Sequence, residues 1–479
     1  MKNKLKYISS FFIGSLLFAS CTKEIDQSPT YTLNGEERFQ TIEDYEFALT
    51  GAYTRFLSDS YYGSTGGANA FVALPDMMSD NLFESSESLG NYALLSTWNY
   101  TADDATIEDI WLDAYSVIRQ ANITMRNIDN LASKNQGAVN RIKGQALAIR
   151  ALAHFDLLRY FGEEYSRNST KLGVPYVDKY DIEQKPARLT VKGTLDRIEA
   201  DLKTAKTLMA SMDKAIQSTT STASTARAYI DDMVVNAILA RMYNYSGESD
   251  SAIKYATLVI NARPLATTAE FPQIWKDVTT KEVVWSVKFQ AFNSDIGGNV
   301  YYAVGNRASY RPTSNLLALY NPSSDVRYSS YFQTIARSTS SRLVASKYIG
   351  KEGRTDGIVD FKAFRTGEMY LIRAEAYSRK GGNDVAALKD LNDLRLARGA
   401  AVGVEVGAAL LNAIFTERRK ELFMEGHRFF DLKRTTRTIS RTTNCSSYCT
   451  LPSSAREWNL PIPQSEMDAN PNMVQNPGY

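Results

Sequence analysis

The sequence contains little of what most enzymes use for catalysis. Among its 479 residues there are two histidines, His154 and His427, and three cysteines. It contains no Gly-x-Ser-x-Gly elbow, His-Glu-x-x-His pair or glycine-rich phosphate loop. Both histidines lie in predicted helices among aromatic residues and arginines, where a structural hydrogen bond is the commoner role. The sequence therefore predicts no catalytic residue, no metal site and no cofactor.

The sequence also lacks an excess of charge of either sign. It has 55 basic and 53 acidic residues, and three of the basic ones, Lys2, Lys4 and Lys6, lie in the first few positions. The rest of the chain is therefore close to neutral. Nucleic acids and anionic surfaces are bound by clustered positive charge. The composition thus argues against nucleic acid as a partner.

Long apolar runs are missing after the first residues. The apolar stretch 7–19 follows the three lysines and is too short to span a bilayer, so residues 1–20 are predicted to be a signal peptide. The stretch ends in Leu-Phe-Ala-Ser before Cys21, which resembles a bacterial lipobox. An ordinary signal cleavage beside an incidental Cys21 is the alternative. The resemblance favours lipidation of Cys21, which would hold the protein on a membrane without crossing it.

The other two cysteines are close neighbours, Cys445 and Cys449. In an oxidising compartment outside the cytoplasm a disulfide is the expected state. A metal site would need two more ligands, and no suitable residues lie nearby. So short a loop gains only about 2 kcal/mol from the bond on the chain-entropy model. The sequence therefore predicts a disulfide that pins a local loop.

Apolar residues at steps of three and four predict a series of amphipathic helices. Two stretches match each other, because Tyr243 and Tyr377 each stand four residues before a glycine and nine before an alanine. This spacing is typical of a tetratricopeptide (TPR) unit, in which glycine ends the first helix and small residues allow close packing. We therefore predict an all-α dominated fold, a TPR-like helical repeat scaffold with minor β-strands, one of them over 282–289. The predicted helices cover residues 107–131, 138–160, 195–208, 228–246, 250–261, 367–381, 384–398 and 406–426.

Two long irregular regions interrupt the helices, at about 59–104 and 289–357. Loops of this length are usually functional or disordered, and their aromatic content argues for function. Trp98 is the foremost candidate for ligand binding because polar residues flank it, whereas Trp111 lies on an apolar stripe and is predicted to be core. The predicted ligand-binding residues are Asp80, Asn81, Trp98 and Tyr100 in the first region and Asn299, Tyr301 and Tyr302 in the second.

A charged run at residues 417–428 contains Glu417, Glu421 and Glu425 at helical spacing, with arginines beside them. In a helix this pattern usually forms a salt-bridged surface or a packing seam. We therefore assign the run a structural role.

Five blocks lie in order along the chain, at residues 145–162, 173–176, 369–377, 417–432 and 460–479. Together they resemble the SusD-like (RagB/SusD) family of outer-membrane lipoproteins. The resemblance implies a single SusD-like domain over residues 21–479, after the signal peptide. It also implies a lipoprotein at the cell surface that captures a nutrient, usually an oligosaccharide, for a TonB-dependent outer-membrane transporter (SusC-like).

Other functions remain open at this point. Some relatives on this scaffold serve cargo other than sugar, so the protein could bind peptides. It could also be a structural lid whose partner makes all the ligand contacts. A lipid-anchored hydrolase is the remaining enzyme hypothesis, and the missing catalytic motifs argue against it.

Overall fold

The computed structural model describes residues 39–210, 227–290, 295–337, 340–442 and 444–479. The predicted signal peptide and the predicted lipidation site Cys21 lie outside these residues. Within them, no helix is both long and apolar enough to cross a membrane.

Helices dominate the regular structure, and most predicted helices are found within a few residues of their expected bounds. The helices are α1 (Ile42–Arg55), α2 (Leu74–Met77), α3 (Ala93–Ser96), α4 (Ala105–Met125), α5 (Ala132–Phe161), α6 (Val191–Met209), α7 (Asp232–Ser246), α8 (Ser249–Ala262), α9 (Phe271–Ile274), α10 (Ser314–Leu317), α11 (Val326–Tyr331), α12 (Thr366–Lys380), α13 (Asp384–Ala397), α14 (Gly407–Glu421), α15 (Arg428–Arg434) and α16 (Gln464–Ala469).

The strands are short and form antiparallel pairs rather than a large sheet. β2 pairs with β8, β1 with β5, β3 with β4, β6 with β7, and β9 with β10. The predicted strand at 282–289 is confirmed as β2. The strands are β1 (Leu82–Glu84), β2 (Val283–Val287), β3 (Tyr301–Tyr302), β4 (Arg307–Ala308), β5 (Tyr310–Pro312), β6 (Phe332–Arg337), β7 (Ser340–Ala345), β8 (Phe361–Arg365), β9 (Ile439–Ser440) and β10 (Thr450–Leu451).

The two predicted repeat units are confirmed as the helix pairs α7–α8 and α12–α13, and α8 packs against α12. Gly247 and Gly381 follow the first helix of each unit at φ of +84° and +76°. Glycine adopts this left-handed region without steric cost, so each helix can end and the chain can reverse. The result is the predicted TPR-like scaffold.

A continuous hydrophobic core joins residues from both halves of the chain, from Tyr45 in α1 to Met473 near the C terminus. Trp111 is 3% exposed, which confirms its predicted place in the core. His154 is also fully buried, and its ring accepts the Val177 N–H while facing the Arg150 carbonyl. Burial lowers the pKa of His154 to about 3. His154 is therefore neutral and structural, as predicted.

The charged run at 417–428 contributes to a group of buried ionised side chains. Glu421 is central: one of its carboxylate oxygens lies 2.9 Å from both Arg365 and Arg398, and the other lies 3.0 Å from Arg327. All four side chains are fully buried. We call this group the buried charge cluster; its members are Glu282, Arg327, Arg365, Arg398, Glu417, Glu421 and Glu425.

The structural role predicted for this run is therefore confirmed, but its predicted helix is too long. Helix α14 ends at Glu421, five residues before the expected end. The chain then turns through Gly426, whose N–H donates to the Val72 carbonyl. A Cβ at Gly426 would lie 2.1 Å from the Phe71 carbonyl oxygen, so a side chain does not fit there. Glu425 reaches the cluster from this turn and not from the helix face, and it bonds Arg365.

Candidate ligand-binding site

The two long irregular regions meet in the structure, although residues 105–288 separate them in sequence. Strand β1 of the first region pairs with β5 of the second, with Leu82 opposite Pro312 and Glu84 opposite Tyr310. Nearby, the Asn299 side-chain amide donates to the Gly67 carbonyl at 2.8 Å. Backbone pairing and side-chain bonds thus join the predicted ligand-binding regions into one surface, which we call the loop face.

Glu87 is a second link across the loop face. Its carboxylate accepts the Ala308 N–H at 2.9 Å and lies 2.6 Å from the Arg342 guanidinium, and it also pairs with Arg337. Burial works against the ionised form, but the Ala308 N–H and the arginines outweigh it and lower the pKa of Glu87. An ionised Glu87 therefore holds the first region against β4 and β7 at neutral pH.

Tyr302 lies on the exposed hairpin of this face. Strands β3 and β4 place it opposite Arg307, whose guanidinium carbon lies 5.5 Å from the centre of its ring. The ring packs over the turn at Gly305, where a Cβ would come within 2.6 Å of it. The side chain is nevertheless exposed. Because residue 305 is glycine, the Tyr302 ring can pack against the turn beside Arg307.

The chemistry of this hairpin suits a ligand with both apolar and polar faces. A partly exposed aromatic ring covers C–H groups, and a guanidinium donates hydrogen bonds to hydroxyl or carboxylate oxygens. Asn306 adds an amide, which the Ala336 carbonyl and Arg342 orient. Tyr301 and Asn299 are half-buried beside the hairpin. The three candidates predicted in the second region therefore lie together on the loop face.

The first region places its candidates differently, because Trp98, the foremost predicted ligand-binding residue, is buried. Trp98 is only 7% exposed, and its indole N–H donates to the Met78 carbonyl at 2.9 Å. The Arg441 guanidinium covers the ring at 4.1 Å. Because its donor is satisfied and a cation covers one face, the indole can be buried without an unpaired polar group. Tyr100 is also buried, and its hydroxyl donates to the Glu457 carbonyl.

Asp80 and Asn81 have structural partners too. Asp80 pairs with Arg428 at 2.7 Å, and Asn81 is fully buried and accepts from Arg419 at 2.7 Å. Burial opposes ionisation of Asp80, but Arg428 and Arg419 outweigh it, so its pKa is well below the usual range. These side chains fasten the first loop region to α14 and α15. Their polarity reflects that attachment and not exposure to a ligand.

Sequence reasoning missed the residues that order the loop face, Glu87, Arg337 and Arg342. Charged residues in polar loops give no signal of their partners when those lie 250 residues away. The predicted disulfide is present, joining Cys445 and Cys449 with their Cα atoms 5.7 Å apart.

A cavity of about 510 Å³ lies elsewhere, between the end of α5, the end of α7 and the C-terminal segment. Tyr165, Tyr245 and Trp458 line it, but Trp458 is 5% exposed and stacks on Phe429. The cavity's Arg434 is already bound by Glu375 at 2.5 Å. Its rings and cations serve packing, and the loop face is the better candidate site.

Two family models match this chain. A family model described as "SusD family" matches residues 320–479, and one described as "Starch-binding associating with outer membrane" matches residues 59–234. The chain is 23% identical to the SusD-like protein P2 of Formosa agariphila, over 99% of this chain and all of that protein. It is 33% identical to the starch-binding protein SusD of Bacteroides thetaiotaomicron, over 25% of this chain and 22% of that protein.

A solved structure agrees with these matches. The crystal structure of a SusD superfamily protein from Bacteroides thetaiotaomicron superposes with a TM-score of 0.81 at 27% identity, covering 91% of this chain and all of the other. The two family models cover the first loop region, the later part of the second and the α12–α13 repeat unit, and they leave out residues 235–319. The chain belongs to the SusD-like family.

Proposed function

We propose that this protein is a lipid-anchored cell-surface protein that captures an oligosaccharide on its loop face and delivers it to a TonB-dependent transporter of the outer membrane. The observation that supports this best is the exposed Tyr302 ring beside Arg307, where the two loop regions meet. In this protein, residues 1–20 serve as the signal peptide, Cys21 is the lipidated residue and residues 21–479 form one domain.

The relatives support sugar as the cargo. One matching family model is described as starch-binding and associated with the outer membrane, and a Bacteroides thetaiotaomicron relative is named a starch-binding protein. A pyranose offers C–H faces for a ring and hydroxyls for arginine and amide groups. Tyr302, Arg307 and Asn306 supply those groups on one hairpin.

The affinity for free sugar should be modest. Each hydrogen bond to a hydroxyl nets only about 1 kcal/mol against water. Micromolar to millimolar dissociation constants correspond to roughly −8 to −4 kcal/mol. A transporter beneath the protein would hold released ligand in the same small volume, so weak binding is sufficient for uptake.

Replacing Tyr302 with alanine tests the binding role. We expect affinity for the bound oligosaccharide to fall about tenfold, the equivalent of about 1.4 kcal/mol, because the ring's apolar contact is lost. Titration calorimetry over a panel of neutral oligosaccharides measures this change. Tyr180, a tyrosine that is 40% exposed between α5 and α6, provides the matched control Tyr180→Ala. If the unaltered protein and Tyr302→Ala bound the oligosaccharide with equal affinity, Tyr302 would not contact the ligand.

The delivery step needs its own experiment. Affinity purification of the tagged, lipidated protein from its native outer membrane in mild detergent should recover a TonB-dependent barrel, with oligosaccharide retained. A Cys21→Ala variant controls for the anchor and should be lost from the membrane fraction. Recovery of the barrel with peptides in place of sugar would favour peptide as the cargo. Absence of any barrel would contradict the transporter partnership.

A further inference from the structure

A hairpin near the C terminus extends to both halves of the loop face. Strands β9 and β10 pair antiparallel, with Ile439 opposite Leu451. Beyond them the Arg441 N–H donates to the Cys449 carbonyl at 2.8 Å, and the Cys445–Cys449 bond closes the turn. We call Ile439–Leu451, excluding residue 443, the disulfide hairpin.

Arg441 fastens this hairpin to the first loop region. Its guanidinium donates to the carbonyls of Met77, Ser79 and Ser96 at 3.0, 2.7 and 2.7 Å. It also stacks on Trp98. Five N–H donors in a rigid fork can hold several carbonyls at once, whereas a lysine ammonium offers no such plane. The position of the hairpin is thus fixed relative to the candidate residues of that region.

The second loop region is bonded to the same hairpin. The Asn315 side-chain amide, in α10, donates to the Thr442 hydroxyl at 2.6 Å. Helix α10 follows β5, and β5 follows the Tyr302 hairpin along the chain. The disulfide hairpin therefore lies where the two regions are joined and is bonded to both.

Tyr448 is held on this hairpin in a costly conformation. It has φ of +54°, and the residue is 55% exposed. The left-handed region costs a residue with a Cβ roughly 1–2 kcal/mol. Because the Tyr448 ring is exposed, burial of its apolar surface offsets little of that cost. Glycine or asparagine would occupy this position with less strain. Strain of this kind is concentrated at ligand-binding sites and other functional positions.

We propose that Tyr448, held on the disulfide hairpin, is an additional cargo-contacting ring of the loop face. This rests on the proposed function, because the cargo it would contact is the oligosaccharide bound beside Tyr302. The disulfide restricts the turn, Arg441 and Thr442 fix the hairpin to the two regions, and the ring faces solvent. An aromatic ring so placed suits the C–H face of a sugar unit in a chain longer than one residue.

The test is Tyr448→Asn, which removes the ring and relieves the backbone. A merely structural tyrosine would leave the variant less stable and its binding unchanged. If Tyr448 contacts the cargo, we expect the reverse for Tyr448→Asn. Its melting temperature should equal or exceed that of the unaltered protein, and its affinity for the longest bound oligosaccharide should fall three- to tenfold. Binding is measured by titration with a size series of neutral oligosaccharides, with Tyr180→Asn as the matched control.

Comparison of Tyr448→Asn with Tyr302→Ala distinguishes a failure of the role of Tyr448 from a failure of the proposed function. If Tyr302→Ala weakens binding and Tyr448→Asn does not, the role of Tyr448 is overturned and the loop face stands. If the unaltered protein binds no oligosaccharide of the series, sugar capture is overturned together with this inference. Mild reduction of the disulfide should weaken binding to the same extent as Tyr448→Asn, and reoxidation should restore it. Binding that is unaffected by reduction would contradict the role of the disulfide in presenting the ring.

Discussion

Replacing Glu421 with glutamine is expected to lower the free energy of unfolding by roughly 3–5 kcal/mol. The change preserves the size of the side chain but removes the negative charge that Arg327, Arg365 and Arg398 share. All three guanidinium groups are buried, so water cannot replace the lost charge. Chemical denaturation of the purified protein, monitored by circular dichroism, measures the difference.

An exposed pair of the same chemistry is the control. Glu352 pairs with Lys276 at 3.3 Å, and its side chain is 63% exposed. Surface pairs contribute little, so Glu352→Gln should change the unfolding free energy by less than about 1 kcal/mol. Equal effects of the two substitutions would show that the buried charge cluster contributes no more than a surface ion pair.

Acidification gives a second check on Glu421. Burial opposes its ionisation, but Arg398, Arg365 and Arg327 outweigh it and place its pKa well below the ordinary 4.5. A carboxylate with a depressed pKa stabilises the fold fully above the unfolded-state value and loses that contribution as pH falls toward the folded-state value. The stability difference between the protein and Glu421→Gln should therefore be smaller at pH 3 than at pH 7.

Replacing Trp98 with alanine should destabilise the protein by roughly 3–5 kcal/mol, the range for removing a large buried ring. The indole is 7% exposed, bonds the Met78 carbonyl and supports Arg441. Its loss leaves a cavity and uncovers one face of the Arg441 guanidinium, which then keeps only its bonds to the Met77, Ser79 and Ser96 carbonyls. Thermal and chemical denaturation measure this effect.

The same variant separates packing from ligand contact. Below its melting temperature, Trp98→Ala should weaken binding only to the extent that the loop face is disordered, and Trp98→Phe should restore much of the stability. A variant of unchanged stability with binding abolished would show that Trp98 contacts the ligand directly, contrary to its buried position.

The helical scaffold follows from local sequence because its determinants are local. Apolar spacing placed the helices to within a few residues, and Gly247 and Gly381 marked where two of them end. One boundary that it missed is the end of α14, where Gly426 must approach the Phe71 carbonyl. That contact joins residues 355 positions apart, and no pattern near Gly426 reveals it.

The sequence predicted which two regions form the candidate site, but only some of the residues that are exposed there. Tyr302 and Trp98 stand in similar polar, aromatic-containing loops, yet one is exposed and the other buried. What separates them is Arg441, which bonds the carbonyls around Trp98 from far along the chain. Asp80 and Asn81 similarly bond arginines that lie far away in sequence, and so do not face a ligand. Side-chain exposure in a long loop depends on partners that sequence spacing does not specify.

The most direct test of oligosaccharide capture on the loop face is to map where a bound oligosaccharide protects the protein. Hydrogen–deuterium exchange with and without saturating ligand should slow exchange in peptides covering residues 296–312, around Tyr302, and leave α12 and α13 unchanged. Protection confined to the segments that line the cavity at Tyr165 and Trp458, with none at the Tyr302 hairpin, would contradict the assignment of the loop face as the binding site.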